Sequence, residues 1–99
     1  QGELKMIYML LTQPYKDYDK ARISSFTFHT NGKIVFNYSV YKSIECALFD
    51  KAVIIGDEAT VNQIKTTAYA NLSPYDTICR SLLEYLKKQG IETGNIEVA

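Results

Sequence analysis

The clearest pattern in the chain is the alternation across FTFHTNGKIVFNYSVY, Phe26–Tyr41, which is interrupted once, at Asn31-Gly32. Period-two alternation rich in β-branched and aromatic residues predicts half-buried strands over Ile23–Thr30 and Lys33–Tyr41, and Asn-Gly predicts a hairpin turn between them. Two registers are available, and they differ in what they segregate. A two-residue loop at Asn31-Gly32 sets Phe28 opposite Val35 and Phe26 opposite Asn37, leaving both faces mixed. A three-residue loop over Thr30-Asn31-Gly32 sets His29 opposite Lys33, Phe28 opposite Ile34, Phe26 opposite Phe36 and Ser24 opposite Tyr38. One face then carries Phe26, Phe28, Ile34, Phe36, Tyr38 and Val40. The other carries Ser25, Thr27, His29, Lys33, Asn37 and Ser39, with Val35 and Tyr41 as its larger members. A one-residue slip would move a whole strand's side chains to the wrong face, so the segregated register is the expected one. Gly32 supplies the left-handed residue that closes such a loop with a bulge.

Outside this hairpin the pattern is less regular. Leu4–Thr12 is apolar at nearly every position and predicts a strand buried on both faces; a helix is the alternative that periodicity does not separate. PYKDYDKAR, Pro14–Arg22, is dense in charge and predicts a polar loop holding Tyr15 and Tyr18. Ser43–Gly56 reads either as short strands at Ile44–Phe49 and Ala52–Ile55 or as one irregular connection. Asp57 is the expected N-cap of a helix over Glu58–Ala70, with Val61, Ile64 and Ala68 on one stripe and Leu72 extending it. Ser73 caps a second helix, about 74–89, with Pro74 at its first position and Asp76 at its third. Its apolar stripe is Tyr75, Ile78, Cys79, Leu82, Leu83 and Leu86, Lys87 and Lys88 lie in its last turn, and Gly90 stops it. Asn95–Val98 predicts a short edge strand. The expected fold is α+β: an antiparallel β-sheet with a central bulged hairpin, packed on one face by one or two helices including the C-terminal one. A single domain spans 3–99, and Gln1-Gly2 reads as the remnant of a cleaved tag.

Composition narrows the function classes. Eleven basic residues balance eleven acidic ones, so no global field draws the chain to nucleic acid or an anionic membrane. No apolar run approaches the ~20 residues that span a bilayer, and MIYMLL, Met6–Leu11, is too short for a signal peptide. Cys46 and Cys79 lack metal-ligand spacing and read as two buried small apolar residues of a reducing, cytoplasmic compartment, with a disulfide as the alternative.

Candidate chemistry is sparse. His29, the one histidine, falls beside the turn on the solvated face with no orienting group implied nearby. Cys79 belongs to the helical stripe. Asp57-Glu58 reads as a helix start, and Asp17 with Asp19 supplies too few oxygens for a calcium loop. Phosphate-cradling, dinucleotide and nucleophile-elbow motifs do not occur. No catalytic, cofactor-binding or metal-ligating residue is therefore assigned, and no cofactor is expected. Basic residues near aromatics suggest single-stranded nucleic acid, but the interleaved acids weaken the phosphate attraction that dominates such binding.

What remains is a protein partner. The chain has eight tyrosines and no tryptophan, and tyrosine gives large contact area at small entropic cost. Tyr38 and Tyr75 fall on core faces; Tyr15, Tyr18 and Tyr41, with Tyr69 and Tyr85, read as exposed. The candidate partner-binding set is Tyr15, Lys16, Asp17, Tyr18, Lys20, Arg22 and Tyr41. The expected function is that of a small non-catalytic inhibitor, immunity-type or antagonist protein that occludes a partner protein. Alternatives are an interaction domain of a larger protein, a small enzyme built on Cys46 or His29, or a single-strand binder. Homodimerisation through a sheet edge is a further expectation about partners.

Overall fold

The computed structural model describes residues 5–99. The Gln1-Gly2 assignment and Leu4, the head of the first predicted strand, lie outside the described residues. The elements are β1 Ile7–Tyr15, β2 Tyr18–Phe28, β3 Ile34–Ser43, β4 Cys46–Ile55, α1 Glu58–Thr66, α2 Pro74–Gln89 and β5 Gly94–Val98. The five strands form one antiparallel sheet in the order β4-β3-β2-β1-β5. The helices pack on one face, which makes the fold α+β.

The central hairpin takes the segregated register, with Phe28 opposite Ile34 and Phe26 opposite Phe36. Its loop closes through His29 N–H to Lys33 O (2.8 Å) and Gly32 N–H to His29 O (3.0 Å), and Gly32 sits at φ 89°. A second irregularity was not expected. Ile23, not Ser24, stands opposite Tyr38. Strict alternation from Phe26 would have driven Ser24 and Arg22 into the core. The bulge instead returns Ile23 and Ala21 to it, both buried, while Ser24 Oγ donates to Asp50 Oδ1 (2.7 Å).

The predicted loop at Pro14–Arg22 is mostly strand. β1 runs through Pro14 to Tyr15, Lys16-Asp17 makes a two-residue turn, and β2 begins at Tyr18. Pro14 is tolerated because β5 pairs with β1 only as far as Leu11. The β1–β2 ladder is also irregular between Leu10 and Tyr15, so the missing N–H removes no regular ladder bond. Lys16 adopts φ 61°, the left-handed geometry a tight hairpin requires. β1 is also not buried on both faces: Ile7, Met9 and Leu11 are buried while Leu10 is exposed.

Ser43–Gly56 resolves into a turn at Ile44-Glu45 and the ten-residue edge strand β4. α1 stops at Thr66, short of Ala70, because Thr67 is extended and the Thr66 and Thr67 hydroxyls donate to carbonyls of the preceding turn. Ala68 is therefore exposed rather than part of a buried stripe. α2 has the predicted bounds: Ser73 Oγ accepts from Asp76 N–H at 3.1 Å, and Gly90 is its left-handed C-cap. Tyr75, expected in the core, lies on the exposed side of the helix, with its ring 5.2 Å from that of Phe26.

Leu82, Leu83 and Leu86 of α2, with Val61 and Ile64 of α1, cover Met9, Ile23, Ile34, Phe36 and Val40 of the sheet. The opposite face is less open than its polarity predicts. Ser39 and Tyr41 are buried there; the Arg22 guanidinium lies 5.6 Å from the Tyr41 ring centroid, and the Tyr41 hydroxyl reaches Met6 Sδ at 3.8 Å. Long amphipathic side chains thus lie over Tyr41 and take it out of water. Both cysteines are free: Cys79 is buried as expected, but Cys46 is exposed at the start of β4.

Candidate functional site

The β1–β2 turn and the β3–β4 turn lie at the same end of the sheet, because the first four strands form a meander. Their proximity is visible in one contact: Lys42 Nζ lies 3.3 Å from Asp17 Oδ2 and 5.1 Å from the Tyr18 ring centroid. Asp17 holds the Lys42 ammonium above its usual range. Lys20 pairs with Asp19 at 2.9 Å, which likewise raises its pKa. The local charges therefore pair with one another instead of forming a basic patch.

The seven candidate residues separate into groups. Tyr15, Lys16, Asp17 and Tyr18 stay together at the hairpin tip, with Lys42 as a further member. Lys20, Arg22 and Tyr41 alternate with the core residues Ala21 and Val40, so they belong to the face away from the helices. Arg22 is half-buried, with its Nε enclosed and lacking a hydrogen-bond partner, and Tyr41 is buried, which removes Tyr41 from an exposed contact surface. Ile44 (51% exposed) and Leu48 (46%) join Tyr15 (40%) at the tip and along the adjoining edge of β4.

Tyr15 also faces the helix side, where it meets a residue that sequence reasoning did not single out. After α2, Ile91 N–H bonds back to Leu86 O (3.0 Å), and the chain then turns Glu92 inward. Glu92 is only 7% exposed. Its Oε2 accepts from Tyr38 Oη at 2.9 Å and Tyr15 Oη at 3.0 Å. Burial, reinforced by the Glu92 carboxylate, raises the pKa of both phenols, so they remain donors. Phe49 of β4 stands edge-to-face with Tyr15 (centroids 5.3 Å apart, planes at 87°) and with Tyr38 (6.3 Å, 79°). Tyr15, Tyr38, Phe49, Lys51, Ile91 and Glu92 line an open pocket between β4 and the end of α2. No local signal marks Glu92: its two tyrosine partners lie 77 and 54 residues away.

Elsewhere the reactive groups stand apart. His29 is exposed beside its turn. Burial pushes the Cys79 thiol up to about 11, which keeps it protonated near neutral pH. Among the described residues, no three His, Cys, Asp or Glu side chains converge as a metal site, and no helix is long and apolar enough to cross a membrane. No family model, curated protein or solved structure matches the chain.

Proposed function

We propose that this is a small non-catalytic protein-binding protein, inhibitor-like in action, that covers a partner's surface with the tip of its sheet and the β4 edge. The observation that carries this reading is the exposure along and beside that edge. β4 is ten residues long and exposed on most positions. Ile54 is 62% exposed on β4, Leu48 is 46% exposed on the same strand, and Ile44 is 51% exposed in the turn before it. An unpaired strand edge offers a row of backbone donors and acceptors, and neighbouring apolar side chains add the desolvation that makes pairing with a partner strand favourable. The rim around Tyr15 is polar, with Lys16, Asp17 and Lys42, which suits an anchor surrounded by hydrated contacts.

The test is affinity capture from cells of the source organism, comparing the native chain with an Ile44→Asp, Leu48→Asp double variant. A specific protein retained by the first and lost by the second, at unchanged Tm, is the expected outcome. Equal capture by both would remove the β4 edge from the interface. A phenotype abolished by His29→Ala with Cys46→Ser, while folding persists, would replace the reading with a catalytic one. The same exposed edge favours a second reading, self-pairing through β4, which light scattering would reveal as a dimer that the double variant dissociates.

A further inference from the structure

A carboxylate withdrawn from water ordinarily keeps a cation beside it, because otherwise its lost hydration is left uncompensated. Glu92 departs from this. It is 7% exposed, yet among the described residues no lysine or arginine nitrogen lies within 4.0 Å of it; the ion pairs there are Lys20–Asp19 and Lys42–Asp17. Both hydrogen bonds that Glu92 receives from described side chains, one from each phenol, go to Oε2, and none from a described residue goes to Oε1. The free oxygen belongs to the side chain that lines the open pocket.

The surrounding groups select among ligands. Tyr15 and Phe49 meet at 87°, forming an aromatic corner beside the carboxylate. Ring faces carry negative potential and attract cations that have a weakly hydrated, apolar shell. A divalent metal is disfavoured, since one carboxylate and two phenol donors fall short of its oxygen shell. Anions are repelled by Glu92. Lys51, opposite Tyr38 in the β3–β4 register, and its neighbour Asp50 also line the pocket; both are exposed and their opposite charges offset, which leaves Glu92 as the net charge.

We propose that this corner binds an organic cation, an alkylammonium or guanidinium group. The charge rests against Glu92 Oε1 and the carbon shell lies on Tyr15 and Phe49. Two sources present this chemistry: a lysine or arginine side chain of a partner protein, or a free quaternary amine. In the first case the site deepens the protein-binding reading above by naming what the partner inserts. The test needs no partner, so its failure and the failure of that reading are separate results.

Isotope-labelled protein is titrated with tetramethylammonium, Nα-acetyl-arginine methylamide and Nα-acetyl-lysine methylamide, against sodium chloride at matched ionic strength. Saturable shifts concentrated at Tyr15, Phe49, Lys51 and Glu92 are expected, with a dissociation constant on the order of millimolar for such small probes. Glu92→Gln keeps an oxygen for both phenols but removes the charge, and should weaken binding at least about tenfold. Tyr15→Phe keeps the ring and should weaken it less. Tighter binding of the amino-acid amides points to a partner's side chain, and tighter binding of tetramethylammonium to a free amine; either supports the site. Shifts that do not saturate, or that persist undiminished in folded Glu92→Gln, overturn it.

Discussion

The two edges of the sheet are built differently. β5 has five residues, lies within the reach of α2, and approaches β1 so closely that a Cβ on Gly94 would stand 2.0 Å from Leu10 O. β4 has ten residues and is guarded by the adjacent charges Asp50 and Lys51 and by a register irregularity at Leu48, between the Val40–Phe49 and Tyr41–Ala47 pairs. Edge strands are ordinarily kept short, charged or covered, because an open one templates pairing with other chains. One edge here is short and lies against the helix; the other is long and relies on charge and a bulge. The contrast teaches that one margin of the sheet is closed by close strand pairing and the helix beside it, while the exposed apolar side chains of the proposed contact lie along the other.

Substitutions can break this contrast. The largest expected effect is on the β5 side. Gly94→Val places side-chain atoms where the Leu10 carbonyl stands, and should destabilise by more than about 3 kcal/mol in denaturant unfolding. Ile54→Lys on β4 should stay within about 0.5 kcal/mol of the native chain. Equal losses would mean that β4 is as integral as β5. Next is the corner that joins the two sides. Glu92→Ala leaves the Tyr38 hydroxyl buried without its acceptor and should cost about 2 kcal/mol, with Glu92→Gln costing less. Ser73→Ala removes the cap of the helix that shields the β5 side and should cost about 1 kcal/mol.

A pH titration sharpens the picture further. Tyr15 and Tyr38 have pKa values raised above the ordinary 10.0. Their contribution is therefore fully present below pH 10 and declines as the unfolded chain ionises above it. Tyr38→Phe should flatten that alkaline decline in unfolding free energy. The smallest effect belongs to Asp57, which follows β4 and caps α1. Hydrogen bonds from Thr60 hold its carboxyl below the usual range. That contribution is present above the ordinary aspartate pKa and fades as pH falls through the depressed one, a weak acid limb that Asp57→Asn removes.

Much of the fold was legible because the relevant information was local. The register of the central hairpin followed from the segregation of Phe26, Phe28, Ile34 and Phe36, and the bounds of α2 from Ser73, Pro74 and Gly90. Three features were hidden for identifiable reasons. The charges of Lys16, Asp17, Asp19 and Lys20 made strand ends look like loop, since a hairpin tip tolerates any solvated side chain. β4 showed no clean alternation because an edge strand exposes residues of both faces. The bulge at Ser24 serves the long-range need to keep Ile23 inside and Arg22 outside. Of the candidate set, the tip from Tyr15 to Tyr18 stays together at the surface, whereas Tyr41 was misjudged because Arg22 and Met6 lie over it. Glu92 was invisible, because its environment is assembled from three distant segments.

The position of β5 beside β1 bears on how the molecule is made. The meander β1–β4 needs only neighbouring hairpins and can assemble while the chain is still emerging from the ribosome. The outer margin of β1 has no mate until residues 94–98 arrive. Until then the inner strand β1 is itself an open border of the nascent sheet, and the interval before residues 94–98 dock is when a chaperone would have most to protect.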